Sequence, residues 1–214
     1  MSTALQLEPY VAQRARWPRT GKHVLAQFDD ESVVVYQAYR PSIGRFAAAH
    51  GWFGGDFSLG RMSWIKPNFL WMMYRSGWGT KEGQEVVLAV WLRRVAFERI
   101  LDQAVASSFG ASGLADAPTW EQAVARSDVR LQWDPDHDPH GRPQGRRAVQ
   151  LGLRRAVLAD YARPWIVRIE DISPLVAEQR EVLRTRGADA LVMPREDVYP
   201  RLPATGAAPS PPNV

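Results

Sequence analysis

Arg61, Lys66 and Arg75 are threaded through the most aromatic stretch of this 214-residue chain, Arg61-Met-Ser-Trp-Ile-Lys-Pro-Asn-Phe-Leu-Trp-Met-Met-Tyr-Arg-Ser-Gly-Trp78. Five of the nine tryptophans fall between Trp52 and Trp91. A hydrophobic core needs bulk but has no use for a lysine and an arginine inside it, so the segment reads as one wall of a binding site. Arg61, Lys66 and Arg75 would hold phosphate or carboxylate, Ser63 would add a hydroxyl, and Trp64, Trp71 or Tyr74 would stack on a base. The alternative is an ordinary aromatic core with cations at its rim.

A second group, Tyr36-Gln-Ala-Tyr-Arg40, ends a β-branched run and leads straight into a Pro-initiated helix. Strand-to-helix junctions expose their last side chains and offer free backbone N–H groups, which suits Arg40 to an anion. Period-two alternation puts Gln37 and Tyr39 on one face and Tyr36, Ala38 and Arg40 on the other. The competing reading has the tyrosines packed and Arg40 paired with a surface carboxylate. A third group, Asp134-Pro-Asp-His-Asp-Pro-His140, has the residue types of a metal site but lacks the Gly and Glu of a calcium loop, and its prolines forbid a helical His pair. It is expected as a solvated turn, with no metal.

The remaining chemistry narrows by exclusion. There is no cysteine, so disulfides and thiolate nucleophiles drop out. No phosphate-loop, dinucleotide-fingerprint or nucleophile-elbow pattern occurs. Net charge is +4, and of 27 basic residues only Lys22, Lys66 and Lys81 are lysines. That guanidinium bias suits planar anions, although a GC-rich genome produces it too. No apolar run reaches the roughly 20 residues of a membrane helix, and no secretory leader opens the chain, so a cytoplasmic protein without membrane contact is expected.

These residues must be held by one domain, expected over residues 21–199, with residues 1–20 as an arm and 200–214 as a disordered Pro-rich tail. Val24 to Phe28 and Val33 to Tyr39 predict a hairpin turning at Asp29 to Ser32, and Glu85 to Leu92 predicts a third strand. Pro41 opens a helix that Gly51 closes, and Pro67 opens another over Asn68 to Ser76 that Gly77 closes. On the second, Phe69, Met72 and Met73 are expected to point inward while Trp71 and Arg75 share the ligand face. Further helices are expected at Val95 to Ser107, Thr119 to Arg126, Arg154 to Tyr161 and Pro174 to Arg186. Strands are expected at Val129 to Trp133, Arg147 to Leu151 and Trp165 to Ile172, with a loop from Asp134 to Gly145. The order implies an α+β fold with a mainly antiparallel sheet.

Val33 to Pro41, Arg61 to Trp78, Gln132 to Pro135, Ala148 to Gly152 and Trp165 to Asp171 resemble the family catalogued as domain of unknown function 4291, a name that implies no activity. More distantly, Val33 to Trp78 is similar to the first half of the ADP-ribosyltransferase fold, a split sheet. That resemblance implies a nicotinamide dinucleotide (NAD) as substrate, no required cofactor, and a glycosyl-type transfer. Carried over by position, Gln37 and Gln150 take the catalytic places, with Arg40 nearby and Tyr74 or Trp71 as the nicotinamide-stacking aromatic. Gln37 departs from the His or Arg of that fold, and Gln150 from its Glu. The expected function is therefore a nucleotide-recognising domain, either a diverged transferase or a binder. The alternatives are a non-enzymatic module for single-stranded RNA or DNA and a protein-interaction domain.

Overall fold

The computed structural model describes residues 4–203. Of the expected disordered tail, residues 204–214 lie outside the described residues.

From residue 4 onward, the segment expected as an arm packs on the body. Strand β1 (Leu7–Pro9) and helix α1 (Tyr10–Arg16) lie against the body, with Tyr10 and Trp17 buried. The buried Gln13 side chain donates to the carbonyls of Met193 and Pro194 and accepts from the Glu196 N–H. After β2 (Gly21–Lys22) come β3 (Leu25–Ala26) and β4 (Ser32–Tyr39). The chain turns back at Asp29 to Ser32 as expected, but the two runs meet through Gln27 and Phe28 rather than as paired strands, because β3 pairs instead with the late strand Asp197–Val198. The Asp29 carboxylate accepts from the N–H groups of Glu31 and Ser32, and Phe28 bridges Val33.

Helix α2 (Pro41–His50) starts at its proline and ends with Gly51 at φ 74°. It lies against the sheet through Gly44, where an added Cβ would sit 2.5 Å from Val86 Cβ. Val86 Cβ is fixed to its backbone and cannot swing aside. Gly44→Ala should therefore lower stability by about 1–2 kcal/mol in urea denaturation, overpacking outweighing the roughly 1 kcal/mol helix-propensity gain.

Strand β5 (Ser63–Ile65) leads into helix α3 (Phe69–Ser76), whose Asn68 cap accepts from the Trp71 N–H and whose Gly77 terminator is left-handed. Strand β6 (Val86–Arg93) follows, buried on both faces from Val86 to Leu92, as its unbroken apolar sequence requires. Helix α4 (Arg94–Asp102) is shorter than expected, because Ala104–Ala106 peels off as strand β7. Its apolar residues continue the helical recurrence, but they pair in parallel with the strand that begins at Val129.

After α5 (Ala117–Arg126), strands β8 (Val129–His137) and β9 (Pro143–Leu153) form a long hairpin that absorbs most of the expected loop. Pro135 is accommodated beside a register shift. The Asp134–His140 segment is not a solvated turn: Asp136 is fully buried and ion-paired to Arg146, while Asp134 and Asp138 turn to other partners. Helix α6 (Arg155–Ala162), strand β10 (Ile166–Asp171) and helix α7 (Ser173–Arg186) match expectation, and β11 (Val192–Pro194) and β12 (Asp197–Val198) close the chain on β1 and β3.

The result is an α+β fold whose strand pairs are antiparallel except β2 with β9 and β7 with β8. A three-stranded sheet, β10-β6-β4, carries apolar side chains on both faces. A five-stranded sheet runs β2-β9-β8-β7, with β5 also on β9. Just past β5, Lys66 bridges Tyr36 on β4: the Tyr36 N–H donates to the Lys66 carbonyl at 2.7 Å and the Lys66 N–H returns to Tyr36 at 3.3 Å. That bridge joins the two sheets into one curled wall, and beyond it they diverge.

Candidate functional site

Where the sheets part, a cavity of about 670 Å³ opens between the end of β4, the approach to β5, helix α3 and the β8–β9 hairpin. Of the residues expected from sequence, Gln37, Tyr39, Arg40, Arg61, Ser63, Trp64, Lys66, Arg75 and Gln150 all line it. Trp71 and Tyr74 do not. Helix α3 presents Met72 and Arg75 to the cavity and turns Trp71 and Tyr74 towards β8. Tyr74 stacks on His137 at 3.6 Å, and Trp71 is buried beside both rings. The cavity face of this helix is therefore the 72/75 pair rather than the expected 71/75 pair, with the buried Met72 forming part of the wall.

The polar seam at the split is fully engaged. Gln37, only 2% exposed, donates from Nε2 to Tyr39 Oη at 2.7 Å, to Ser63 Oγ at 2.8 Å and to the Trp64 carbonyl at 3.1 Å. Its Oε1 accepts from Tyr161 Oη at 2.5 Å, and Tyr39 and Ser63 share a further bond of 2.6 Å. The side-chain amide thus does across the gap what a backbone ladder does elsewhere, and Gln37 and Tyr39 share a face as alternation requires. Burial pushes the Tyr39 and Tyr161 hydroxyls well above the usual phenol range, so both stay protonated. Tyr161 is the partner that sequence did not reveal, since it arrives from α6.

Opposite, Gln132 and Gln150 are register partners on β8 and β9, and their Nε2 groups donate to the two oxygens of Asp134 at 2.8 and 2.7 Å. A carboxylate only accepts, so this fixes the orientation of both amides. Gln132 was not singled out in the sequence; pairing Gln150 across a hairpin would have found it. Trp64 pairs with Gly152, and Met62 Sδ and the Trp64 ring lie 2.7 and 3.0 Å from where a Gly152 Cβ would stand, so both side chains crowd onto β9 where that position has no side chain.

The cations set the electrostatics. Arg40 pairs with Asp56 at 3.2 Å in a solvent-exposed bridge. Asp56 is the one acidic residue in the cavity wall among the described residues. Among the described residues, the side chains of Arg61, Lys66 and Arg75 have no hydrogen-bonded or carboxylate partner. Lys66 is 4% exposed, precedes Pro67 and so stays extended, and its ammonium lies 5.8 Å from the Trp71 ring centroid. Burial pulls its pKa from 10.5 to about 8; the nearby Arg75 charge adds to this and Asp134 opposes it. A buried lysine with a lowered pKa and no hydrogen-bonded acceptor among the described residues is the kind of group that clusters at functional sites.

Behind α3 lies a second buried polar group. Glu196 accepts from the Phe69 N–H at 2.5 Å and from Asn68 Nδ2 at 3.2 Å, completing the helix start. Asp136 and Arg146 form their ion pair alongside, with Arg146 4.9 Å from the Trp17 ring centroid. Burial raises the pKa of both Asp136 and Glu196.

A family model described as domain of unknown function (DUF4291) matches residues 23–199, and this span holds every cavity residue named above. The chain belongs to the DUF4291 family. No curated protein matches it. The DUF4291 match begins just before β3 and ends just after β12, so β1 and α1 lie outside it although they pack on the body. No helix among the described residues is long and apolar enough to cross a membrane.

Proposed function

We propose that the cavity binds a nucleotide or dinucleotide, with Arg61, Lys66 and Arg75 around its phosphates and Trp64 as the surface for its base. The observation that carries this is three cations that, among the described residues, have no carboxylate partner and line one space whose one acid there, Asp56, is already paired. Buried or crowded positive charge is costly without a counter-ion, so a ligand that brings negative charge restores the balance. A volume of about 670 Å³ lies within the range of small-molecule sites and suits one nucleotide better than a strand. Arg40, already bridged to Asp56, would reach a second phosphate by exchanging partners.

Binding is better supported than ribosyl transfer. Gln37 has both ends of its amide engaged, and Gln150 is held by Asp134. Neither supplies the negative charge that an oxocarbenium-like transition state calls for. A nicotinamide dinucleotide is thus a candidate ligand whether or not it reacts.

Calorimetric titration with mono- and dinucleotides tests the proposal, and absence of binding at millimolar ligand overturns it. Arg75→Ala should weaken affinity by about 10- to 100-fold, the worth of a charge-assisted hydrogen bond at about 1.5–3 kcal/mol. Unchanged affinity in that variant would place the phosphates elsewhere.

A further inference from the structure

Lys66 differs in kind from the other cavity cations. Arg61 and Arg75 carry permanent charge, whereas an amine can exist as a free base. Of the three lysines, Lys22 and Lys81 are exposed, and only Lys66 is buried. Its backbone is locked by the bridge to Tyr36 and by Pro67, the residue lines the cavity, and its Nζ lies 5.8 Å from the Trp71 ring centroid with no acceptor among the described residues.

We propose that Lys66 is an imine-forming nucleophile for aldehydes or ketones that carry a phosphate, with Arg61 and Arg75 holding the phosphate while Nζ meets the carbonyl carbon. The groups facing the amine are Arg75 from α3, Asp134 from β8 and the Trp71 ring. With its pKa at about 8, roughly one molecule in ten carries free amine at pH 7, against fewer than one in a thousand for an ordinary lysine. Desolvation beside another cation is a known way to activate a lysine for this chemistry.

The step balances without a co-reactant. The Nζ lone pair forms the N–C bond as the carbonyl π pair moves to oxygen, and a proton shifts from nitrogen to that oxygen to give the carbinolamine. A second proton reaches the oxygen, the C–O bond breaks, and one water leaves as the C=N bond forms. Amine plus carbonyl becomes imine plus water. The proposal needs only an anion-guided carbonyl and stands apart from the nucleotide reading, which the titrations above test separately.

The test uses the full chain with pyridoxal 5′-phosphate as probe, borohydride to reduce any imine to a stable amine, and peptide mass mapping. The expected result is one phosphopyridoxyl group on Lys66, installed at least about tenfold faster at pH 7 than on Lys22 or Lys81, with the rate rising to half its plateau near pH 8. Pyridoxal without the phosphate should label Lys66 far more slowly, and Lys66→Arg, which keeps the charge, should remove the fast phase. Labelling confined to Lys22, Lys81 or the terminal amine overturns the proposal. So does labelling of Lys66 no faster than of the exposed lysines, or equally fast with pyridoxal.

Discussion

Lys66→Met should make the protein more stable while removing its ligand affinity. Holding the ammonium at about 8 instead of 10.5 means that the folded state disfavours the charge, at a cost of about 2–4 kcal/mol at pH 7 given about 1.4 kcal/mol per tenfold. Methionine has the length to fill the same path beside Trp71 and carries no charge to desolvate. The sign follows from the direction of the shift. Below pH 8 folded and unfolded chains are both protonated and the penalty is complete; as pH rises from 8 to 10.5 the unfolded chain binds the extra proton, and the wild type regains ground. Urea denaturation should show the variant ahead at pH 7 and the two nearly level at pH 10. A variant less stable at both would make Lys66 part of the scaffold. Natural sequences keep such a costly group where function requires it.

Arg146→Met should be the most damaging single change behind the site, lowering stability by about 3–5 kcal/mol at pH 7. The guanidinium is the one cation bonded to the buried Asp136, and it also offsets charge on Glu196. Without it Asp136 keeps, among the described residues, only the His137 N–H, at 2.7 Å. Both carboxyls, already raised by burial, would rise further. A carboxyl raised in the folded state contributes stability that is present at low pH and is lost as pH climbs through its folded value. The gap between variant and wild type should therefore be smallest in acid, where both carboxyls are protonated in either protein, and widen as pH rises towards neutral. Arg146→Met combined with Asp136→Leu should recover most of the loss, because an apolar pair replaces an ionic one. Failure of the double variant to recover would assign Arg146's contribution to its contact with Trp17 instead.

What was legible in the sequence was local. Pro41 with Gly51 and Pro67 with Gly77 fix the two helices beside the cavity, and the runs ending at Tyr39 and Leu92 fix the strands, because each signal acts within a few residues. Those helices and strands sufficed to bring Gln37 to Arg40 and Arg61 to Arg75 to one place. The face that α3 turns to the cavity was not legible, since it depends on His137 arriving from β8 to stack on Tyr74. Nor was β7, whose apolar residues fit a helix until β8 offers a strand to pair with. The Asp134–His140 segment was misread for a related reason. A Pro- and Asp-rich sequence is turn chemistry by itself, and only the 16-residue reach from Asp134 to Gln150, and Arg146 opposite Asp136, make it a strand with a buried charge.

Glu196 caps α3 from 127 residues further along the chain, after every residue that lines the cavity has been made. On the ribosome, then, β4, β5 and the β8–β9 hairpin would emerge and pair while the start of α3 still lacked its carboxylate and the Gln13 side chain still lacked the carbonyls it bonds. The finished cavity wall is in this sense a late product of translation, and a nascent chain stopped at residue 190 would hold all the residues that line the cavity without the cap that completes the start of Lys66's neighbouring helix.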